Sequence, residues 1–325
     1  MPVLSESALR GDRPALVVAR LALAVVASGA FYAVGVSLAP AAAPLLLIVP
    51  LPGLMLAAQA PWAYGGWLLL SEAAVGLVLG TGAAASFLML FGLPACGMVV
   101  GFRRRWPVEL SIMAATAAWS LGLALSVLLA YGDFGAVVAA TRQQLNNGLD
   151  VALSAYGSVG MSDSSLAAVQ ADRDALVTGL IDILPALLVL CGAFMAILNL
   201  VLLRRWTDTL EDVDLRLWRT PEALIWALII AGFAMFLPLE GLTLVARNAF
   251  IVLLGCYFCQ GLSIVSYFLE RLRLPRGVRV AGYLLIAVQH IVAGIVLALG
   301  IFDLWGNFRR LTVGSADVQF PSDGE

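Results

Sequence analysis

Apolar positions in this chain come in long unbroken runs, without the strict alternation of a half-buried strand. The runs have the length a helix needs to cross a hydrocarbon layer about 30 Å thick. Backbone in hydrocarbon must satisfy its own hydrogen bonds, so these runs read as helices, whereas barrel strands would alternate. The first, Leu21 to Leu38, follows Arg10, Arg13 and Arg20. No small-residue cleavage site separates it from the next apolar run, so it reads as a retained helix and not a removed signal. From Ala41 to Phe102 the chain is almost continuously apolar but punctuated by prolines and glycines, and divides into Pro44 to Ala60, Trp62 to Gly80 and Gly82 to Phe102. Pro107 to Tyr131, Ala175 to Leu203, Pro221 to Leu239, Arg247 to Leu269 and Val278 to Leu304 complete an expected set of nine spans. Thr220 and Pro221 look like an N-cap followed by a first-turn proline.

Two connections are more than turns. Phe134, Val138, Leu145, Leu149, Leu153 and Tyr156 share one helical stripe, with Arg142, Gln143, Asn146, Asn147 and Asp150 on other faces, which predicts an amphipathic helix at the membrane interface. Asp163-Ser164-Ser165 predicts a second helix start, continuing through Leu166, Val169 and Leu176 into the sixth span. Asp208, Glu211, Asp212 and Asp214, interleaved with Leu210, Val213, Leu215 and Leu217, resemble a short surface helix. The expected organisation is therefore a cytoplasmic segment (1–20), N-terminal membrane helices (21–131), an extracytoplasmic helical insertion (132–174), C-terminal membrane helices (175–310) and a polar, acidic tail (311–325) with the composition of disorder.

Composition supports an all-α polytopic bundle. Of 325 residues, 62% are hydrophobic and 12% charged, outside the range of soluble domains. The 19 basic residues are all arginine, against 21 acidic ones. A net charge of -2 excludes the concentrated positive surface a nucleic-acid partner needs. With the N-terminus inside and nine spans, 14 of the 19 arginines fall on the cytoplasmic side, as the bias of basic residues in short loops requires. That arrangement puts the C-terminus outside, with Arg309 and Arg310 as its main exceptions. Cys96, Cys191, Cys256 and Cys259 all sit in apolar runs and read as small hydrophobes.

Ionisable groups in spans are costly and are the first candidates for function. Glu72, beside Ser71 in the third span, either borders a solute cavity or is hydrogen-bonded within the bundle. His290, the single histidine, follows Gln289 in the ninth span, and with no acid or cysteine close in sequence it defines no metal site. Phosphate-cradling loops, G-x-S-x-G and H-E-x-x-H are absent from the sequence, so no enzyme is expected and no cofactor is implied. Gly76-x-x-x-Gly80, Gly97-x-x-x-Gly101 and, more weakly, Ala24-x-x-x-Ser28 fit close helix packing. Pro50-Leu51-Pro52-Gly53 must interrupt a helix at membrane depth, and irregular backbone survives there only where protein or a watery cavity satisfies it.

The Pro/Gly-broken block through Leu51-Pro52-Gly53, the stretch Phe91-Gly92-Leu93-Pro94, the amphipathic insertion and the closing run from Gly300 to Arg309 together resemble the bacterial YybS-like, DUF2232 group of membrane proteins. That group is distantly similar to the substrate-binding S components of energy-coupling-factor transporters, from which this chain differs by extra spans and its insertion. The resemblance implies a multi-pass protein of the bacterial inner membrane, a small-molecule ligand and a partner transport module. Two functions follow. In one the bundle binds or moves a small solute through a midplane cavity bordered by Glu72. In the other it is a non-catalytic scaffold that recruits envelope proteins.

Overall fold

A computed structural model describes residues 14–39, 41–160, 162–207, 215–306 and 308–309. It is 85% helical and has no strand among the described residues. The acidic run at 208–214 and the tail at 311–325 lie outside them. The chain divides into two compact units, Met1–Val213 and Asp214–Glu325.

In the first unit, α1 (Pro14–Ser37) is followed by a 3₁₀ segment (Ala43–Ile48), α2 (Leu51–Gln59) and a 3₁₀ turn at Pro61–Ala63 leading into α3 (Tyr64–Leu79). Then come α4 (Thr81–Phe87), a π-helical turn (Leu88–Gly92), α5 (Leu93–Arg103) and α6 (Val108–Tyr131). The amphipathic α7 (Phe134–Ser158) and α8 (Asp163–Ala171) precede α9 (Arg173–Leu203). The expected run from Asp163 into the sixth span is interrupted at Asp172, so α8 is a separate element. As its stripe predicted, α7 has no fully buried residue, and the Asp133 carboxylate caps it by accepting from Ala136 N at 2.8 Å.

An aromatic cluster forms the centre of this unit. Trp67 and Phe87 are completely enclosed, and Tyr32 and Tyr64 stack edge-on or tilted against them and Phe91. Glycines let neighbouring helices approach it. A Cβ on Gly97 would lie 3.2 Å from Ala115 N, and one on Gly101 or Gly122 would strike Ser111 or the Met89 carbonyl. Gly76 meets Ala84 at 3.3 Å, but Gly80 faces open space. Its role is the left-handed φ of +94° at the turn between α3 and α4, so the Gly76-Gly80 pair is half a packing motif and half a turn.

The second unit contains α10 (Leu224–Ala234), α11 (Glu240–Arg271), α12 (Arg276–Val288) and α13 (His290–Gly306). Ile225 and Leu228 pack on Tyr257, while Phe250 approaches Gly232, making α10 and α11 an antiparallel hairpin. Gly261 of α11 and Gly300 of α13 cross so closely that a Cβ on either would land on the other helix's backbone. Thr220 does not cap α10: its backbone N–H and hydroxyl both donate to Gln260 Oε1, and the helix begins four residues later.

Among the described residues, six helices are long and apolar enough to cross a membrane, or seven if the α12–α13 pair counts as one bent span. The expected count of nine is not reached. The second run is divided into a 3₁₀ segment and a nine-residue helix, and α10, at 11 residues, is only about 16 Å long. The ninth is bent by 100° between Val288 and His290. The charges close to α13 also correct the expected topology. Arg216 forms an ion pair with Glu270, and the Arg216 and Trp218 carbonyls accept from Arg309 at 2.7 and 3.0 Å. Residues 270 and 309 therefore lie at the same end of the unit, and the chain between them returns to the end it left. Arg309 sits with Arg216 and Arg219, not across the membrane from them.

Candidate functional site

The Pro50 break is closed by protein. Pro50 and Pro52 lack N–H groups and release helical carbonyls, and side chains from distant helices take them. Ser28 Oγ donates to Val49 O at 2.9 Å, and Asn199 Nδ2 donates to Leu47 O at 2.7 Å. Trp67 Nε1 in turn donates to Ser28 Oγ at 3.2 Å, and its indole occupies the space a Cβ on Gly53 would need. Ser28 thus owes its buried position to hydrogen bonding as much as to its small size. At the π turn, Pro94 likewise removes a donor, Leu93 N reaches back to Leu88 O, and Tyr64 Oη donates to Gly92 O at 2.9 Å.

Glu72 lies on α3 one turn beyond Leu68 and one before Gly76. Leu68 packs against Gly92 of the π turn and Gly76 against Ala84 of α4, so this stripe of α3 faces α4 and the π turn. The neighbouring stripe, Trp67, Ser71 and Val75, is the buried one. Glu72 is half-buried, and no hydrogen bond or ion pair to it is found among the described residues. Ser71 is fully buried, and its Oγ has no hydrogen-bond partner. A carboxyl at mid-span with no partner among the described residues calls for a proton, water or a bound group. Trp67 fills the Pro50–Gly53 break, and Glu72 sits on the adjoining face of α3.

Gln289 and His290 belong to the second unit, where they form the bend between α12 and α13 and are both exposed. His290 does not face the interior of its unit. The bend turns it outward, because Gln289 adopts an extended conformation (φ -98°, ψ 107°) that ends α12 one residue before it. No cluster of three or more His, Cys, Asp or Glu side chains suited to a metal occurs among the described residues.

Sequence reasoning missed Asp303. It is fully buried, with Oδ2 accepting from Arg309 at 2.9 Å and from Gln260 Nε2 at 3.1 Å. Oδ1 accepts from Phe308 N at 2.9 Å, and the Arg219 guanidinium stands 3.8 Å away. Thr220 completes the set through Gln260. The signal was available, because Asp303 is an acid inside an apolar run, but its partners are more than 40 residues away for Gln260 and more than 80 for Arg219. A carboxylate so enclosed and compensated is a structural tie.

With the geometry in place, comparison with known proteins agrees with the fold. The family model described as predicted membrane protein (DUF2232) matches residues 14–304. The chain belongs to this family and is a multi-pass membrane protein. No curated protein and no solved structure matches it.

Proposed function

We propose that the protein is a solute-binding component of the bacterial inner membrane, with Glu72 as the anchor for a small solute carrying a cationic or hydrogen-bond-donating group. One observation carries this reading: a half-buried carboxyl in the middle of an apolar helix, next in sequence to the buried Ser71 hydroxyl, with no hydrogen-bond partner for either among the described residues. Desolvating two polar groups without compensation costs several kcal/mol, a cost that a complementary ligand offsets. The role is one of binding, without catalysis, and it calls for a partner transport module, as the similarity to S components implies. Gln289 and His290, at an exposed bend of the second unit, are that unit's own candidate contacts for a ligand or for that partner.

The alternative is a scaffold that recruits envelope proteins through its helical faces. It is favoured by the closure of the Pro50 break with protein, where Ser28 and Asn199 take the Val49 and Leu47 carbonyls and Trp67 holds Ser28. Purification of the full chain in mild detergent, followed by identification of co-purifying small molecules and proteins, separates the two. A bound solute that Glu72→Gln releases, with helical content unchanged, supports solute binding. A Glu72→Gln protein that keeps its solute overturns that reading, and envelope-assembly proteins without any solute establish the scaffold.

A further inference from the structure

Between α11 and α12 four arginines fall within nine residues, Arg271, Arg273, Arg276 and Arg279, and no acidic residue interrupts them. Glu270, just before, is already engaged by Arg216. The turn is tight, with Arg273 at a left-handed φ of 51° and its N–H donating to Glu270 O at 2.7 Å. Arg279 uses Nε on Leu274 O at 2.9 Å. The exposed side chains of Arg271, Arg273 and Arg276 have no hydrogen-bond or ion-pair partner among the described residues. Between these charges Leu272 is 66% exposed and Val278 and Val280 about half exposed, the mixture expected of a segment in a headgroup layer.

Leu272 also belongs to a second feature. With Ile264, Phe268, Leu299 and Phe308 it lines an apolar groove of about 290 Å³ between α11 and α13. Phe308 is fixed there by its N–H bond to Asp303, so one wall of the groove is held by the buried ionic network. The groove thus opens beside three unpaired guanidinium groups. An anionic phospholipid, with an apolar chain and a phosphate at its head, matches both features.

We infer that this end of the second unit is a binding site for one anionic phospholipid, its acyl chain in the Ile264–Phe308 groove and its phosphate on Arg271, Arg273 and Arg276. A basic side chain near a membrane surface contributes about 1 kcal/mol toward an anionic headgroup, and a basic pocket between helices concentrates that attraction on one lipid. Neutral lipid would satisfy the groove but not the arginines, and free phosphate would satisfy the arginines but not the groove.

The test uses the full chain in nanodiscs containing equal phosphatidylglycerol and phosphatidylcholine with identical acyl chains, ejected into a mass spectrometer so that retained lipids are counted. The expected result is roughly tenfold enrichment of retained phosphatidylglycerol, the effect of about 1.4 kcal/mol. It should fall to within about twofold in the Arg271→Gln, Arg273→Gln, Arg276→Gln triple variant, whose exposed positions leave folding intact. Leu299→Trp, which fills the groove, should reduce retention of both lipids, while millimolar inorganic phosphate should displace neither. Equal retention of the two lipids, an unchanged triple variant, or displacement by phosphate would each overturn the inference, and a Leu299→Trp protein with full retention would remove the groove from it.

Discussion

Asp303 and Glu72 both sit inside apolar helices of this protein and receive opposite treatment. Asp303 is completely enclosed and meets an arginine, a glutamine and a backbone N–H, with a second arginine 3.8 Å away. Glu72 is half-buried and meets none among the described residues. Residue type and apolar surroundings are the same in both cases, so neither distinguishes a structural acid from a candidate binding one. What distinguishes them is whether the fold supplies the counter-charge. Asp303 is neutralised by arginines from segments before α10 and after α13, which ties the ends of its unit together. Glu72 lies on a stripe whose other members, Leu68 and Gly76, make ordinary packing contacts, and no group compensates it among the described residues.

The comparison breaks most completely if the partners of Asp303 are wrong, and topology tests this as an all-or-none result. Arg309 and Arg219 share one end of the second unit, and the bias of basic residues toward the cytoplasm predicts that this end is cytoplasmic. A reporter fused after Arg309 should therefore read as cytoplasmic, as should one in the segment of Arg216 to Arg219. Opposite readings at the two positions would remove the Asp303 network.

Stability gives the next largest effect. Asp303→Asn keeps the shape but leaves buried Arg309 facing a neutral amide, and removing one partner of a buried pair costs about 3–5 kcal/mol. Unfolding of the detergent-solubilised protein should show that loss, and a cost below about 1 kcal/mol would make Asp303 as dispensable as an exposed acid. Ser28→Ala leaves the Val49 carbonyl and the Trp67 N–H unpartnered at the Pro50 break, for an expected loss of about 1–3 kcal/mol in the same measurement. Glu72→Gln should change stability by no more than about 0.5 kcal/mol, since it breaks no contact within the chain. A large destabilisation there would make Glu72 a second Asp303.

The smallest effect belongs to an exposed pair. Arg173 donates to Asp150 at 2.7 Å and to Asn146 at 2.8 Å, joining α7 to the start of α9. That hydrogen bond holds the Asp150 carboxyl below its ordinary range. A depressed carboxyl contributes its stability above the unfolded pKa of about 3.9 and loses it as pH falls through the lower folded value. Because the pair is solvent-screened, the contribution is slight. An NMR titration of Asp150 should show a midpoint below the ordinary carboxylate value in the natural protein and a return toward it in Arg173→Gln.

The helical class, the positions of most long spans, the amphipathic α7 and the break at Pro50 were legible in the chain, because hydrocarbon leaves the backbone no alternative to a helix and proline removes a donor wherever it stands. Gly97 and Gly101 were legible as packing residues for a similar reason, since a missing Cβ is a local property. The partner of a side chain is a non-local property. Whether Ser28 and Asn199 would close the Pro50 break, whether Gly80 packs or turns, and whether His290 points inward depended on which helices lie opposite. The side on which Arg309 sits depended on the path of α12 and α13, because a 100° bend between two apolar helices changes where the chain emerges without changing its hydropathy. Sequence alone thus determined which segments leave water. Only the tertiary structure decided which of their polar groups are paired, because the pairing in hydrocarbon is made by residues tens of positions away along the chain.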